Sequence, residues 1–437
     1  MRSPVLFCKD APKENLVIRT ARVLDPAEGI DAVVDVRVDA GIVSEIGSDL
    51  DVNGHRVIEG DGLVLAPAFV DPHVHLRTPG REDEEDVASG TRAAAAGGYC
   101  AIVAMANTEP VVDSASVLGS LVEQAKADAE IPVGFLASVS KGQEGDELTE
   151  MIELAEAGAV GFSDDGRPVV SSGLLRRALQ YNAAAGRRIA VHCEEPALSR
   201  GGQVHEGAVS AELGFGGWPS VAESVMVGRD LALAAYERQP IHLLHLSARE
   251  SVDELRRAQA AGVEATAEVT PHHLCQTDES VRSLDPNVKM NPPVRADEDR
   301  SALIEALRDG AIGAIATDHA PHAPQEKEAP FEDAPFGVTG LETSFAALFS
   351  RLVETGVLTL PTLIERMTVG PARIYGLEPP RIAVGAPANL VLLALEATWL
   401  VHENGFRSKS RNSWLVGETL RGRVRATVAA GRVVYES

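Results

Sequence analysis

Residues 63–75 read Leu-Val-Leu-Ala-Pro-Ala-Phe-Val-Asp-Pro-His-Val-His, an apolar run that stops on a proline and two imidazoles. His73 and His75 therefore sit where a buried strand gives way to its polar loop. Four more side chains occupy the same kind of junction: Asp165 after residues 159–162, His192 after 189–191, His245 after 241–244 and Asp318 after 311–316. A (β/α)8 barrel gathers residues from the C-terminal ends of separate strands into one site at its top face. Four imidazoles and two carboxylates there, with no cysteine, make a hard-to-borderline divalent metal site. That donor set points to metal-assisted hydrolysis or its reversal.

Strand and helix patterns alternate outward from that stretch. Strand-like runs cover residues 99–105, 131–139, 159–162, 188–193, 240–246, 263–269 and 311–317. Helical patterns lie between them, at 114–129, 147–157, 173–185, 220–238 and 249–261. Ser114, Asp146 and Ser220 are the expected N-caps, and Gly158, Gly186 and Gly262 the expected helix stops. Eight strands with intervening helices argue for a closed parallel barrel over an open sheet. The expected class is α/β, a (β/α)8 TIM-like barrel over residues 67–376.

The two ends carry a different pattern. Residues 16–24 and 33–46 alternate apolar and polar side chains, as in Val34-Asp35-Val36-Arg37-Val38-Asp39, the mark of half-solvated antiparallel strands. Residues 389–395 and 423–435 look alike. Both ends are expected to pair into one small β-sandwich domain, its first part in residues 1–66 and its second in 377–437. Residues 1–15 carry charge and proline without a signal-type apolar segment and read as a short extension of the first part.

Composition narrows the partners. With 437 residues, 45% of them hydrophobic, the chain can bury a barrel core and a smaller domain. A formal charge of −24 disfavours nucleic acid and anionic membranes. No apolar stretch approaches the roughly 20 residues needed to span a bilayer. Cys8, Cys100, Cys193 and Cys275 are scattered, as expected of reduced thiols in a cytoplasmic protein.

A family resemblance then becomes visible. Asp71-Pro72-His73-Val74-His75-Leu76-Arg77 and Ala316-Thr317-Asp318-His319-Ala320-Pro321-His322, with Lys327 beyond, resemble the two signatures of dihydroorotases. The likeness is to the type I bacterial form in the amidohydrolase superfamily. It continues through Asn107-Thr108-Glu109-Pro110, Phe162-Ser163-Asp164-Asp165-Gly166, His192-Cys193-Glu194, Thr270-Pro271-His272-His273-Leu274 and Met290-Asn291-Pro292-Pro293, in order along nearly the whole chain.

The resemblance implies two zinc ions, one on His73, His75 and Asp318 and one on His192 and His245, bridged by Asp165. It implies a hydroxide between them, with Asp318 as general base and then acid. It implies that Arg77, Asn107 and His322 hold the free carboxylate of dihydroorotate or carbamoyl aspartate, beside His75. Asn291 and the backbone at Phe336-Gly337 would meet the ring edge. The implied activity is reversible cyclisation of N-carbamoyl-L-aspartate to L-dihydroorotate, the third step of de novo pyrimidine (UMP) biosynthesis. A homodimer and association with aspartate transcarbamoylase are family expectations.

Some readings stay open in the sequence. Either Asp164 or Asp165 could reach the metals, and family spacing selects Asp165. His272, His273 and His319 read as supporting groups, while His55, His205, His242 and His402 read as unconnected with catalysis. Cys193 reads as packing. Lys327 is equally a solvated loop lysine or part of a closure over the site by residues 320–336. A hydantoinase or allantoinase on the same scaffold would bridge its metals with a carboxylated lysine. The matching strand end, Gly161-Phe162-Ser163-Asp164-Asp165, has none, and Lys141 ends an earlier strand pattern. A catalytically dead scaffold would have lost metal ligands, and here all six are present. Two departures from the family pattern are Ala106 before Asn107 and Asn389 in the small domain.

Overall fold

The computed structural model describes residues 4–437. Eight parallel strands are hydrogen-bonded in sequence order: Phe69–Val74, Tyr99–Ala104, Val133–Ala137, Gly161–Ser163, Arg188–Val191, Ile241–Leu243, Ala265–Val269 and Ala314–Ile315. The circle closes through a parallel bridge between Val74 and His319 and through His75 N–H donating to His319 O at 2.9 Å. Both faces of these strands are covered, which is why they read as near-continuous apolar runs. Inside, Val103, Met105, Leu136, Ala190, Leu244 and Ala314 form a cluster plugged by Ile374 and Tyr375. The barrel is thus a packed core with its polar work confined to the mouth.

Local chemistry sets the helices that wrap it. Asp86 caps the helix Val87–Ala96 through a reciprocal pair with Ser89, and Ser171 accepts from Leu174 N–H to start Ser172–Ala185. Gly158 and Gly186 stop their helices in the left-handed region, at φ 117° and 66°, and Gly262 (φ 84°) follows Arg249–Ala260. Ser114 and Ser220 stand at N-cap positions, but their side chains make no capping bond. Asp146 is not a cap. Lys141 N–H donates to Glu147 O and Ser140 bridges Leu148, so the chain there is extended and the helix begins at Met151.

Both chain ends meet in a separate eight-stranded sheet. Leu390–Leu400 pairs antiparallel with Val64–Pro67 and with Thr419–Ala429, while Leu16–Asp25 pairs with Ile30–Asp39 and Val64–Pro67. Its own core joins Leu16, Ile18, Val36, Val38 and Leu65 from the first end to Leu390, Leu392 and Val428 from the second. The C-terminal segment then leaves this sheet. Residues 403–417 lie against the barrel's top loops before the chain returns to Thr419–Ala429.

Candidate active site

His73 and His75 are two residues apart, so they share a face of their extended segment and both aim into the barrel mouth. Asp165 stands between two histidine pairs. Its Oδ2 is 3.5 Å from Nε2 of both His73 and His75; its Oδ1 is 3.3 Å from His245 Nε2 and 3.6 Å from His192 Nδ1. Asp318 brings Oδ1 to 3.0 Å from His75 Nε2 and 3.3 Å from His73 Nε2. Two sets of donor atoms, on His73, His75 and Asp165 and on Asp165, His192 and His245, each fall within 4.8 Å of one another. His73 Nε2 is buried with no hydrogen-bond partner among the described residues, and the His192 and His245 nitrogens converge at 2.9 Å. The donor set fits cations: imidazole nitrogens and carboxylates aimed at common points.

Other groups hold the rings from behind. His73 Nδ1–H donates to Glu268 at 2.6 Å, His75 Nδ1–H to Asn107 Oδ1 at 2.9 Å, and His192 Nε2–H to Glu194 at 3.0 Å. Such contacts fix the tautomer that leaves the other nitrogen free for a metal. Glu268, fully buried and also bonded to His242 Nε2 at 3.0 Å, has no part in the sequence reading. Its signal was available: Thr266 and Glu268 are alternate polar residues in a strand otherwise apolar. Through Glu268, His242 does connect to the site, contrary to the expectation that it stands apart.

The electrostatics follow from charge crowded out of water. Burial works to raise the Asp165 carboxyl, but His73, His192 and His245 together hold it well below the carboxylate range. Asp318 is lowered likewise against burial by His73 and His75, and Glu268 falls to about 2 through His73 and His242. The opposite effect on the rings, again against burial, lifts His73 well above its usual value and His192 to about 9. Arg77, His245 and Asp318 carry φ of 57°, 30° and 48°, a strained left-handed backbone that clusters at functional sites.

Asp164 points away. It accepts from Val139 N–H at 2.7 Å and from Ser140 N–H and Oγ–H at 3.1 and 2.5 Å, and burial pushes its carboxyl up to about 6. Lys141 is exposed and paired with Glu147 at 2.5 Å, outside the mouth.

A cavity of about 200 Å³ opens beside Asp165, His192, His245 and Asp318, and its walls include all the residues expected to meet substrate: His75, Arg77, Asn107, Asn291, His322, Phe336 and Gly337. Arg77 Nε donates to Pro321 O at 3.0 Å and lies 3.1 Å from Glu84 Oε2. His322 Nε2–H donates to Phe336 O at 2.7 Å. Gly337 needs its missing side chain: a Cβ there would sit 2.7 Å from Ala320 Cβ, and its φ is 120°. Lys327 is no solvated lysine. It is buried, donates to Pro286 O and Pro335 O at 3.0 and 2.8 Å, and burial pulls it down to about 7. Residues 320–336 are thereby seated against the site.

His273 spans Thr270 Oγ1 at 2.7 Å and Pro292 O at 3.0 Å, holding the Asn291 turn, and burial takes it down to about 3. His319 Nε2 contacts Glu85 at 3.3 Å, and Cys193 Sγ packs 3.6 Å from Asp230. Asn412, also absent from the sequence reading, donates to Ala320 O and Gly337 O and accepts from His322 N–H.

Comparison with known proteins agrees with this geometry. Residues 62–251 match the family model described as Dihydro-orotase-like. The chain is 44% identical to a dihydroorotase of Geobacter metallireducens, over 97% of this chain and 100% of that one. It is 44% identical to one of Geotalea daltonii, over 97% and 99%. Among solved structures, the L-hydantoinase (dihydropyrimidinase) of Arthrobacter aurescens is similar, with a TM-score of 0.87 and 27% identity over 97% of this chain and 96% of that one. No helix of the described residues is long and apolar enough to cross a membrane. The match runs essentially end to end in both chains, so this chain belongs to the dihydroorotase family.

Proposed function

We propose that the chain interconverts N-carbamoyl-L-aspartate and L-dihydroorotate, the ring-closing step of de novo pyrimidine synthesis, with two zinc ions shared through Asp165. One observation carries this: Asp165 lies between two histidine pairs, and the same cavity presents Arg77, Asn107 and His322 on its other wall. His73, His75 and Asp318 would hold one cation, His192 and His245 the other. When bound, the pair would supply a water acidic near neutral pH and a Lewis acid for the ring carbonyl.

The chain's own groups do the rest. Arg77 offers its terminal guanidinium edge to the substrate carboxylate, a planar fork suited to two parallel hydrogen bonds. His75 occupies Asn107 Oδ1 and so turns Asn107 Nδ2 outward as a donor. In hydrolysis Asp318 Oδ2 takes the proton of the attacking water and delivers it to the departing ring nitrogen as the C–N bond breaks. In synthesis it takes the carbamoyl N–H proton as that nitrogen closes on the side-chain carboxyl carbon, and hands it to the carboxyl oxygen that departs as hydroxide when its C–O bond breaks. Asp318 Oδ1 is held between His73 and His75, and Asp318 lines the cavity, which leaves Oδ2 for the proton.

The nearest rival is hydantoinase chemistry on the same scaffold. The position of Lys141, paired outside the mouth, opposes it. The test is metal content and turnover of the isolated chain with dihydroorotate, hydantoin and allantoin. Two zinc ions and preference for dihydroorotate support the reading; preference for hydantoin or allantoin, or metal-independent turnover, overturns it. The same preparation addresses the expected homodimer by light scattering and the expected contact with aspartate transcarbamoylase by co-sedimentation.

A further inference from the structure

Glu84 is 1% exposed, lies in the loop after the first barrel strand, and is used by nothing in the mechanism above. Its Oε2 is 3.1 Å from Arg77 Nε; its Oε1 is 2.8 Å from Arg81 Nη2 and 3.4 Å from His322 Nδ1. One buried carboxylate therefore stands behind Arg77, the cationic candidate for the substrate's own carboxylate, and also reaches His322. We propose that Glu84 is a positioning residue that turns Arg77 toward an anionic substrate group; this rests on the functional reading given above.

The Nε side of Arg77 is consumed, since Glu84 Oε2 and Pro321 O both face that nitrogen. No hydrogen bond from its two Nη groups is found among the described residues, and Arg77 lines the cavity. The guanidinium is thus held by its inner edge with its outer fork open, the orientation a bidentate carboxylate requires. After Glu84, the negative charges that act most strongly on Arg77 are Asp318 and Asp165, the groups assigned to the cations. Glu84 supplies a competing anion on the far side and keeps the guanidinium off them.

His322 is held differently. Its Nε2–H is given to Phe336 O and its backbone N–H to Asn412, so no N–H is left open, and Nδ1 lies 3.4 Å from Glu84 Oε1 and 3.7 Å from Glu326 Oε2. Glu84, His322 and Glu326 could by spacing hold a cation of their own. Arg77 and Arg81 already supply positive charge to Glu84, and Arg81 does so to Glu326 at 2.7 Å, so an added cation would be repelled.

A plain structural ion pair is the competing account, and the loop's other anchors count against it. Glu84 O accepts from Ser410 Oγ at 2.7 Å, and its N–H donates to Arg81 O at 3.0 Å. Glu85 separately binds Ser89, Ser408 and the Lys409 N–H. The backbone is fixed by contacts that do not involve the Glu84 carboxylate, whose remaining effect falls on Arg77, Arg81 and His322.

The experiment is a kinetic double-mutant cycle in the metal-loaded full chain, using Glu84→Gln, Arg77→Met and both together. For Glu84→Gln the expected result is a Michaelis constant for dihydroorotate raised about tenfold or more, with kcat within about threefold and zinc content unchanged, the pattern of lost uniform binding. In the Arg77→Met background, Glu84→Gln should add less than about twofold, because its target is gone. Glu84→Asp should recover part of the loss. An unchanged Michaelis constant, full multiplicativity of the two changes, or a fall in kcat and melting temperature without a rise in the Michaelis constant would overturn the proposal. No turnover of dihydroorotate by the zinc-loaded wild type would instead overturn the functional reading, and this proposal with it.

Discussion

Replacing Glu268 by Gln tests whether the second layer of the site tunes metal affinity. Glu268 Oε1 accepts from His73 Nδ1–H at 2.6 Å and Oε2 from His242 Nε2–H at 3.0 Å, both fully buried. A glutamine keeps one acceptor and places an NH2 against the other ring. His242 can adapt: its Nδ1 already faces Thr266 Oγ1 at 2.9 Å, so a tautomer switch frees Nε2 to accept. His73 cannot, because under the proposed ligation its Nε2 would be committed to the cation. The amide oxygen should therefore stay on His73, and what is lost is charge. Loss of such a partner weakens metal binding by roughly 10- to 100-fold, which corresponds to about 1.4–2.7 kcal/mol. Glu268→Gln should sit near the lower figure and Glu268→Leu, which leaves Nδ1–H unpartnered, near the upper. Zinc affinity measured by chelator competition, with circular dichroism to confirm folding, reads this directly. Affinity of the folded Gln variant within about twofold of wild type would refute the claim that Glu268 acts through His73.

Asp318→Asn should lower turnover by about 10² to 10⁴, the usual range for a positioned acid–base group, while dihydroorotate still binds by calorimetry to protein with unaltered zinc content; turnover within tenfold would remove Asp318 from proton transfer. Lys141→Ala should leave zinc content and kcat within about twofold, since its ammonium pairs with Glu147 at the surface; loss of metal would show that a lysine bridges after all. For metal-free protein the pH dependence has a defined sign. His73 and His192 are raised above 6.5, the latter to about 9, so their stabilisation is complete below about 6.5 and disappears as pH climbs through 9. Metal-free protein should lose melting temperature between pH 6.5 and 9 while zinc-loaded protein should not, because bound cations replace those protons. A flat metal-free profile over that interval would contradict it.

Much of the site was legible because it occupies strand ends. An apolar run followed at once by His or Asp marks a barrel strand and a mouth residue together, and it located His73, His75, Asp165, His192, His245 and Asp318. The supporting layer was hidden for physical reasons. Glu268 sits within a strand, where a lone acid gives no sign of which ring it faces. Glu84 lies only seven residues after Arg77, but in an irregular loop whose spacing does not show which way a side chain turns. Asn412 lies far from the cavity residues in sequence, and its partners are backbone carbonyls and an N–H group. Asp164 and Asp165 are adjacent in sequence, and only the reach of Val139 and Ser140 toward Asp164 separates them. Helix starts were the weakest reading. Asp146 had the composition of a cap, but the bridge at Leu148 outweighed it.

Barrel closure and site assembly are one event here. The first and last strands meet through Asp71, which accepts from Thr317 N–H at 3.2 Å and Thr317 Oγ–H at 2.5 Å, and through the bridge of Val74 with His319. Those contacts join the residues next to His73 and His75 to the residues next to Asp318. Asp71 also accepts from His73 N–H at 3.1 Å, so it fixes the backbone of one histidine and the neighbour of Asp318 together. Burial pushes its carboxyl up to about 7, far from the lowered Asp165 and Asp318 that face the imidazoles. An acid with that environment serves geometry, whereas the two lowered ones stay charged beside the imidazoles. The three aspartates therefore divide the work by what surrounds each of them. An unclosed barrel would leave the donor set in two separate halves.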